Sequence, residues 1–476
     1  MSTEIWQLSA AELAAALARG EVGAAEAVDR HLERIAAVNP EVNAVTTVMA
    51  DRARAAAKDV DARRAAGEEL GPLAGVPFTV KDNIHVEGMA TTQGMPELRV
   101  LVAEQDAPPV RRLCAAGAIP VARTNMPDMG MRGMHTRSGT HGDTVNLWDP
   151  ARTPGGTSGG DAVAVASGMA PLALANDWEG SIRIPAVFSG ITGLRPSCGR
   201  YASDNRLMGR EPALGTQLFP VDGPMARTVE DLRILHGLLS GADPRDPRAV
   251  PAPAAGPPLP GPIRVGVAAD PGGLGVDPRV RAAVAAAADA LEDAGYRVEE
   301  VEVPRLGDAL RAYARLMMTE YSLGWDALRP LMPEDGRRFL EMSMERTPPV
   351  GLAEYVQLTG ERMGIQRAWA EFLDRYPLLL GPVFTEQPVE PGLESRDPEG
   401  LERVMTAMRL CSVSTFAGLP AVAVPTGIAD GLPQGVQLIG RPFREDVCLD
   451  AAAAVEQRLG TFTPVNPLNP QRNHDN

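Results

Sequence analysis

Aromatic side chains are scarce, at 4% of the 476 residues. Hydrophobic residues still reach 44%, so a sizeable core is available, and Ala, Val and Leu must pack most of it. Only four cysteines are present, Cys114, Cys198, Cys411 and Cys448, far apart and without a CxxC pair. That spacing fits neither a disulfide framework nor a zinc site, and it predicts reduced thiols in a cytoplasmic protein. Positive charge is short as well: 46 Lys and Arg stand against 61 Asp and Glu, a net −15. Nucleic acid and anionic membrane both call for a basic footprint, so neither is an expected partner. No apolar run is long enough to span a bilayer. Glu4 sits where a secretory leader would carry Lys or Arg.

What is present alternates between helix and strand patterns. Ser9 and Glu12 form a capping box that predicts a helix to about residue 18. A second helix carries Val28, Leu32 and Ile35 on one face and is expected to stop at Asn39-Pro40. From about residue 72, short apolar strands (GVPFTV, AIPVAR, PLALAN) lie between Gly- and Pro-rich loops. Residues 242–262 hold eight prolines and predict an irregular connection. Beyond it, 263–267 reads as a strand. Asp277-Pro278 opens a helix with Val280, Val284, Ala288 and Leu291 on one face, Gly295 ends it, and 296–303 alternates as the next strand. This is a βαβ unit, which predicts parallel strands. Residues 305–375 are helical in pattern, and PLLLGPVF, AVAVPTGI and GVQLIGR return to strand. The last dozen residues are polar and predicted to fray.

Three segments break the scaffold pattern. In GVPFTVKDNI, Lys81 follows directly on an apolar strand, where burial can strip an amine of water and keep it neutral. In TPGGTSGG, residues 153–160, closely spaced glycines supply backbone freedom and exposed N–H groups. No Lys-Ser/Thr follows, so this is not a P-loop. Its GTSGG part matches the G-x-S-x-G elbow of α/β-hydrolases, which needs a strand directly before it and a histidine downstream. The lead-in WDPARTP is turn-rich instead, and only His236 and His474 follow. In ANDWEGSIRIPA, residues 175–186, Ser181 leaves a strand after a small residue, well placed to turn its hydroxyl into a cavity; serines in such turns also cap helices.

Together these segments resemble the amidase signature family, whose Gly/Ser-rich block reads GGSSGG and is followed by a TDxGGSIRxPA-like stretch. This chain has GGTSGG and NDWEGSIRIPA, with 24 residues from Thr157 to Ser181, the family spacing. VKDNI, TNMPD, GLRPS, GPMARTVEDL, FAGLPAVAVP and GVQLIGRPF look like further landmarks, so the likeness runs over roughly residues 5–465. It implies one large α/β domain around a mixed, mostly parallel twisted sheet flanked by helices. In that frame, residues 1–70 are an N-terminal helical part and 71–240 the core with the catalytic residues. Residues 241–262 are the Pro-rich connection, 263–465 a C-terminal α/β part with a variable pocket segment at 305–400, and 466–476 a polar tail.

The activity implied is hydrolysis of a carboxylic amide C–N bond, with a small-molecule amide as partner and no cofactor or metal. A homodimer is common among relatives. The resemblance makes Ser181 the nucleophile and Lys81 the ultimate base. Thr157 takes the middle position, where the family has a serine preceded by a cis peptide. Backbone N–H groups of Trp178, Glu179, Gly180 and Ser181 form the implied oxyanion hole, with Ser158, Asp177 and Arg183 as supports. Two departures stand out. Thr157 adds a methyl group to a tight turn, and Glu179 replaces a glycine and places a carboxylate near the reaction centre, with Arg183 as its expected internal partner or, alternatively, an amino or hydroxyl group of the substrate. Two other readings stay open: the amidase-type subunit of a tRNA-dependent amidotransferase, and a catalytically weak binding homologue. His135 and His141 have no third ligand nearby and are expected in turns or at the surface. Met126, Met129, Met131 and Met134 are expected either to wall an apolar pocket or to fill the core.

Overall fold

The short apolar runs of the sequence join into one eleven-stranded sheet in the computed structural model, which describes residues 4–131, 133–206 and 210–468. The strands are β1 (Val45–Val48), β2 (Pro77–Lys81), β3 (Ile119–Thr124), β4 (Arg137–Ser138), β5 (Gly142–Asp143), β6 (Leu172–Asp177), β7 (Thr192–Arg195), β8 (Val221–Ala226), β9 (Arg264–Val267), β10 (Arg297–Glu300), β11 (Leu378–Pro382), β12 (Ala421–Ala429) and β13 (Leu432–Gly440). The sheet order is β1-β3-β2-β6-β8-β7-β12-β13-β11-β9-β10, and β4 with β5 forms a separate hairpin. The expected mixed sheet within one α/β domain is found. Parallel pairing is concentrated in two blocks, β3-β2-β6 and β11-β9-β10. The strands from β6 through β11 are joined by antiparallel pairs, as is β1 to β3.

Strands β2, β3, β8 and β13 are buried at every position, which requires cover on both faces. Along β12 the side chains alternate between cores: Val422 and Val424 enter one, while Ala421 and Ala423 enter those on the opposite face. The helices Pro278–Asp293 and Glu445–Leu459 pack on the first face, and Arg183–Ser189 and Arg409–Ala417 on the second.

Local chemistry explains most element ends. Both halves of the Ser9–Glu12 capping box are made at the start of Ala10–Ala18. The Asp277 side chain accepts the Arg279 N–H, Pro278 takes the first helical position, and Gly295 turns the chain at φ +90° into β10. Strand β10 then lies parallel to β9, completing the βαβ unit in a shorter form than the pattern suggested. The second helix does not stop at Pro40 but runs over Ala24–Val42. A proline in the last turn removes a single helical hydrogen bond. The Asn39 side chain then holds the Ala44 and Val45 N–H groups at 2.9 and 2.7 Å, and left-handed Asn43 closes the helix. Residues 305–375 fold as the helices Leu306–Leu328, Glu334–Arg346 and Leu352–Arg375. The Pro-rich connection forms turns without a named helix or strand. Most of the polar tail lies outside the described residues. Among those described, no helix is long and apolar enough to cross a membrane.

Candidate active site

Neighbouring strands β2 and β6 end side by side, and their last residues carry the polar groups of the site. Lys81 closes β2 and is fully buried. Its Nζ donates to Asn176 Oδ1 at 2.7 Å and Ser158 Oγ at 2.8 Å, and lies 2.6 Å from Thr157 Oγ1. Ser158 Oγ in turn donates to the Asn176 carbonyl at 3.3 Å. Burial pushes the Lys81 amine below the ordinary lysine range, against the opposing pull of the Asp161, Asp177 and Asp222 carboxyls. Asp161, beneath it, is pushed upward by burial and accepts from Thr124 Oγ1 at 2.6 Å. Asn176 is the residue that sequence reasoning missed. The signal was there, because NDWEGS carries Asn where the family stretch begins with Thr.

The TPGGTSGG loop reaches Lys81 because its glycines allow close approach. A Cβ on Gly160 would stand 2.4 Å from the Asn125 carbonyl oxygen. The Gly156–Thr157 peptide is cis, as the resemblance implied. Ser158 is fully buried, its hydroxyl is committed to Lys81 and Asn176, and residues 144–158 approach it as turns. His236 is engaged with the Tyr201 hydroxyl and the Ala254 carbonyl, both at 2.8 Å. The α/β-hydrolase elbow therefore finds neither its strand nor its histidine.

Beyond β6 the chain turns sharply before the helix Arg183–Ser189. Asp177 holds this turn, accepting from the Gly180 N–H at 2.8 Å and the Ile182 N–H at 3.2 Å. Arg183 reaches Asp177 through Nε at 3.0 Å, and Arg195 reaches it through Nη1 at 3.4 Å, all side chains being fully buried. Burial alone would raise the Asp177 carboxyl. The two guanidiniums outweigh it and hold that carboxyl well below the usual range. One expectation is corrected here: the Gly180 N–H is bound to Asp177 and so is not free for an oxyanion. Gly180 adopts φ +101°, and a Cβ there would lie 2.6 Å from Ile184 Cδ1.

Glu179 requires a second correction. Arg183 is taken by Asp177, so Glu179 binds Ser412 instead, whose Oγ donates to Oε1 at 2.5 Å, and the Tyr313 hydroxyl is its other partner. Burial pushes the Glu179 carboxyl up to about 7.

Ser181 and Thr157 each retain 8% exposure and line one cavity together with Trp178 and Glu179. The rest of its lining is largely apolar and includes Met131, Met134, Tyr313, Met317, Tyr321 and Phe339, with Arg346 among them. The Trp178 and Tyr321 rings lie 6.2 Å apart. Of the methionines singled out in the sequence, Met131 and Met134 thus wall the cavity, whereas Met126 is fully buried in the interior. His135 is not a surface residue. It is buried with Nε2 2.8 Å from Asp143 Oδ1 and Nδ1 3.1 Å from Thr153 Oγ1, while His141 sits half-buried in a turn. Among the described residues, no cluster of three or more His, Cys, Asp or Glu is placed to hold a metal ion.

Known proteins resemble this chain over almost its whole length. An indoleacetamide hydrolase of Bradyrhizobium diazoefficiens is 40% identical over 460 residues, covering 96% of this chain and 88% of that protein. A glutamyl-tRNA(Gln) amidotransferase component of Salinispora arenicola is 37% identical, covering 97% of this chain and 99% of its own. Among solved structures, a bacterial aryl acylamidase of the amidase signature family superposes with a TM-score of 0.82 at 25% identity, over 99% of both chains. The 6-aminohexanoate cyclic dimer hydrolase superposes with a TM-score of 0.81 at 28% identity, over 96% of this chain and 98% of its own. The Amidase family model matches residues 26–449, and with these relatives it identifies the chain as a member of the amidase family of C–N amide hydrolases.

Proposed function

We propose that this amidase cleaves an amide whose acyl group is apolar and aromatic in size, with Ser181 as nucleophile, Thr157 as relay and Lys81 as base. One observation carries the relay: the choice of hydrogen-bond partners around Lys81. A neutral amine has two N–H groups and one lone pair. Asn176 Oδ1 has no proton to give, and Ser158 already gives its proton to the Asn176 carbonyl. Both therefore accept from Lys81, and the lone pair is left facing Thr157 Oγ1 at 2.6 Å. As the Ser181 oxygen bonds to the amide carbon, its proton passes to Thr157 while the Thr157 proton passes to Lys81. The same route returns a proton to the departing nitrogen, the C–N bond breaks, and water releases the acyl group along that path. The N–H groups of Trp178, Glu179 and Ser181 remain to bind the oxyanion, each worth about 3 kcal/mol when well aimed.

The substrate class is supported by the aromatic and methionine-rich lining of the Ser181 cavity and by likeness to an indoleacetamide hydrolase. Supporting residues are Ser158, Asp177 and Arg183. Ser181→Ala is expected to abolish release of ammonia from arylacetamides and labelling by a fluorophosphonate, with an unchanged circular dichroism spectrum. Turnover persisting in Ser181→Ala would remove Ser181 from its role. Likeness to an amidotransferase component supports a second reading. Hydrolysis of arylacetamides by the purified chain, with no other polypeptide present, would decide against it.

A further inference from the structure

The cavity beside Ser181 contains a carboxyl for which the hydrolytic steps have no use. Glu179 lines the Ser181 cavity and also a second one that adjoins it. Its partners, Ser412 and Tyr313, are both neutral. Among the described residues the guanidiniums near it are engaged elsewhere: Arg183 with Asp177, and Arg346, on the wall shared by both cavities, with Glu402. Around it stand Trp178, Tyr321 and Met317. A carboxylate has about four acceptor sites, and two hydroxyl donors leave some unused. Acceptor capacity within an apolar wall discriminates sharply between ligands, because a desolvated acceptor left without a donor is costly.

We infer that Glu179 selects the substrate, its spare acceptor position taking a neutral N–H or O–H donor on the apolar acyl group. This rests on the reading of the protein as an amidase for apolar acyl amides. An ammonium is the poorer fit, because the partners of Glu179 are neutral hydroxyls in an apolar wall, and the adjoining cavity already carries Arg311, Arg315, Arg346 and Arg409, each paired with a carboxylate of its own. The favoured class is thus a heteroaryl or phenolic acetamide with a ring N–H or O–H, over an isostere without one.

The test compares kcat/KM for indole acetamide, its N-methyl derivative and naphthalene acetamide, in wild type, Glu179→Gln and Glu179→Leu. Wild type is expected to prefer indole acetamide by about tenfold, the range of one hydrogen bond to a partly charged acceptor. Glu179→Gln keeps an acceptor and should retain most of that preference. Glu179→Leu should bring the ratio close to one, whatever becomes of the absolute rates. A ratio in Glu179→Leu equal to that of wild type overturns the inference. So does a wild type that hydrolyses all three amides alike, which settles the matter even if the leucine variant does not fold. A wild type that ignores all three yet hydrolyses a plain aliphatic amide defeats the substrate reading, and this inference falls with it.

Discussion

Thr157 and Asn176 make separate demands on the Lys81 amine, and each can be probed alone. Thr157→Val is nearly isosteric but has no hydroxyl to pass a proton, so kcat should fall by about a hundredfold or more, in the range of a lost acid–base group. Thr157→Ser should retain activity. A fully active Thr157→Val enzyme in single-turnover assays would rule out the relay. Asn176→Asp would place a negative charge at the position now 2.7 Å from Nζ. An opposite charge there favours the ammonium, so the Lys81 pKa should rise. On the proposed relay, activity requires the neutral amine and therefore climbs as pH rises through that pKa. The acid limb of kcat/KM should move to higher pH in Asn176→Asp, whereas a merely structural effect would lower the whole profile without moving it. Sequence motifs made Lys81, Thr157 and Ser181 legible one by one. They did not reveal which carboxylate Arg183 would choose. Asp177 and Glu179 are both close to it in sequence, and the choice depends on how sharply the turn after β6 folds back.

At the scale of elements, the turn joining β6 to the helix Arg183–Ser189 is held by one buried charge cluster. Removing one member of a buried pair leaves its partner uncompensated, at a cost of about 3–5 kcal/mol. Arg183→Met should therefore lower stability by that order in chemical denaturation, and lower kcat as the Gly180 and Ile182 N–H groups lose their rigid anchor. Denaturation midpoints equal to wild type would show that Arg195 alone suffices. Elements were most legible where punctuation and period agreed, as in the strand, Asp277-Pro278 helix and Gly295 turn of the βαβ unit. They were least legible where a side chain altered the rule. Pro40 signals a stop, but Asn39 bonds the following backbone so that the helix runs on to Val42. The antiparallel centre of the sheet depends on long-range pairing that local periodicity does not encode.

For the whole molecule, stability and activity are expected to respond to pH in opposite directions. Burial pushes the carboxyls of Glu179, Asp222 and Glu456 up to about 7. Each binds its proton more tightly in the folded chain than in the unfolded one. Their contribution is therefore complete below the ordinary pKa of about 4 and is lost as pH rises through about 7. Asp177 has the opposite sign, and its contribution fades only in strong acid. Burial also holds His31, His85, His141 and His236 below the ordinary imidazole range, and that penalty is relieved as pH rises through about 6.5. Above it the carboxyls decide, and the melting temperature should fall by a few degrees between about pH 7 and about pH 8. Amide turnover should rise over the same interval as Lys81 loses its proton. A melting temperature that climbs across that interval would contradict the assignment of these carboxyls.

The cavity has two walls of different origin. Thr157, Trp178, Glu179 and Ser181 come from the first half of the chain together with Met131 and Met134, whereas the other side chains that line it come from Tyr313 through Met408. Bond breaking is thus written in the first half of the chain and much of the choice of acyl shape in the second, so that part of the choice can drift while the chemistry stays fixed. A chimera carrying a relative's residues 305–408 should move toward that relative's choice of acyl size and shape, while the preference set by Glu179 stays with the recipient. Its pH–rate profile should remain that of the recipient, since the proton path is inherited from the recipient alone.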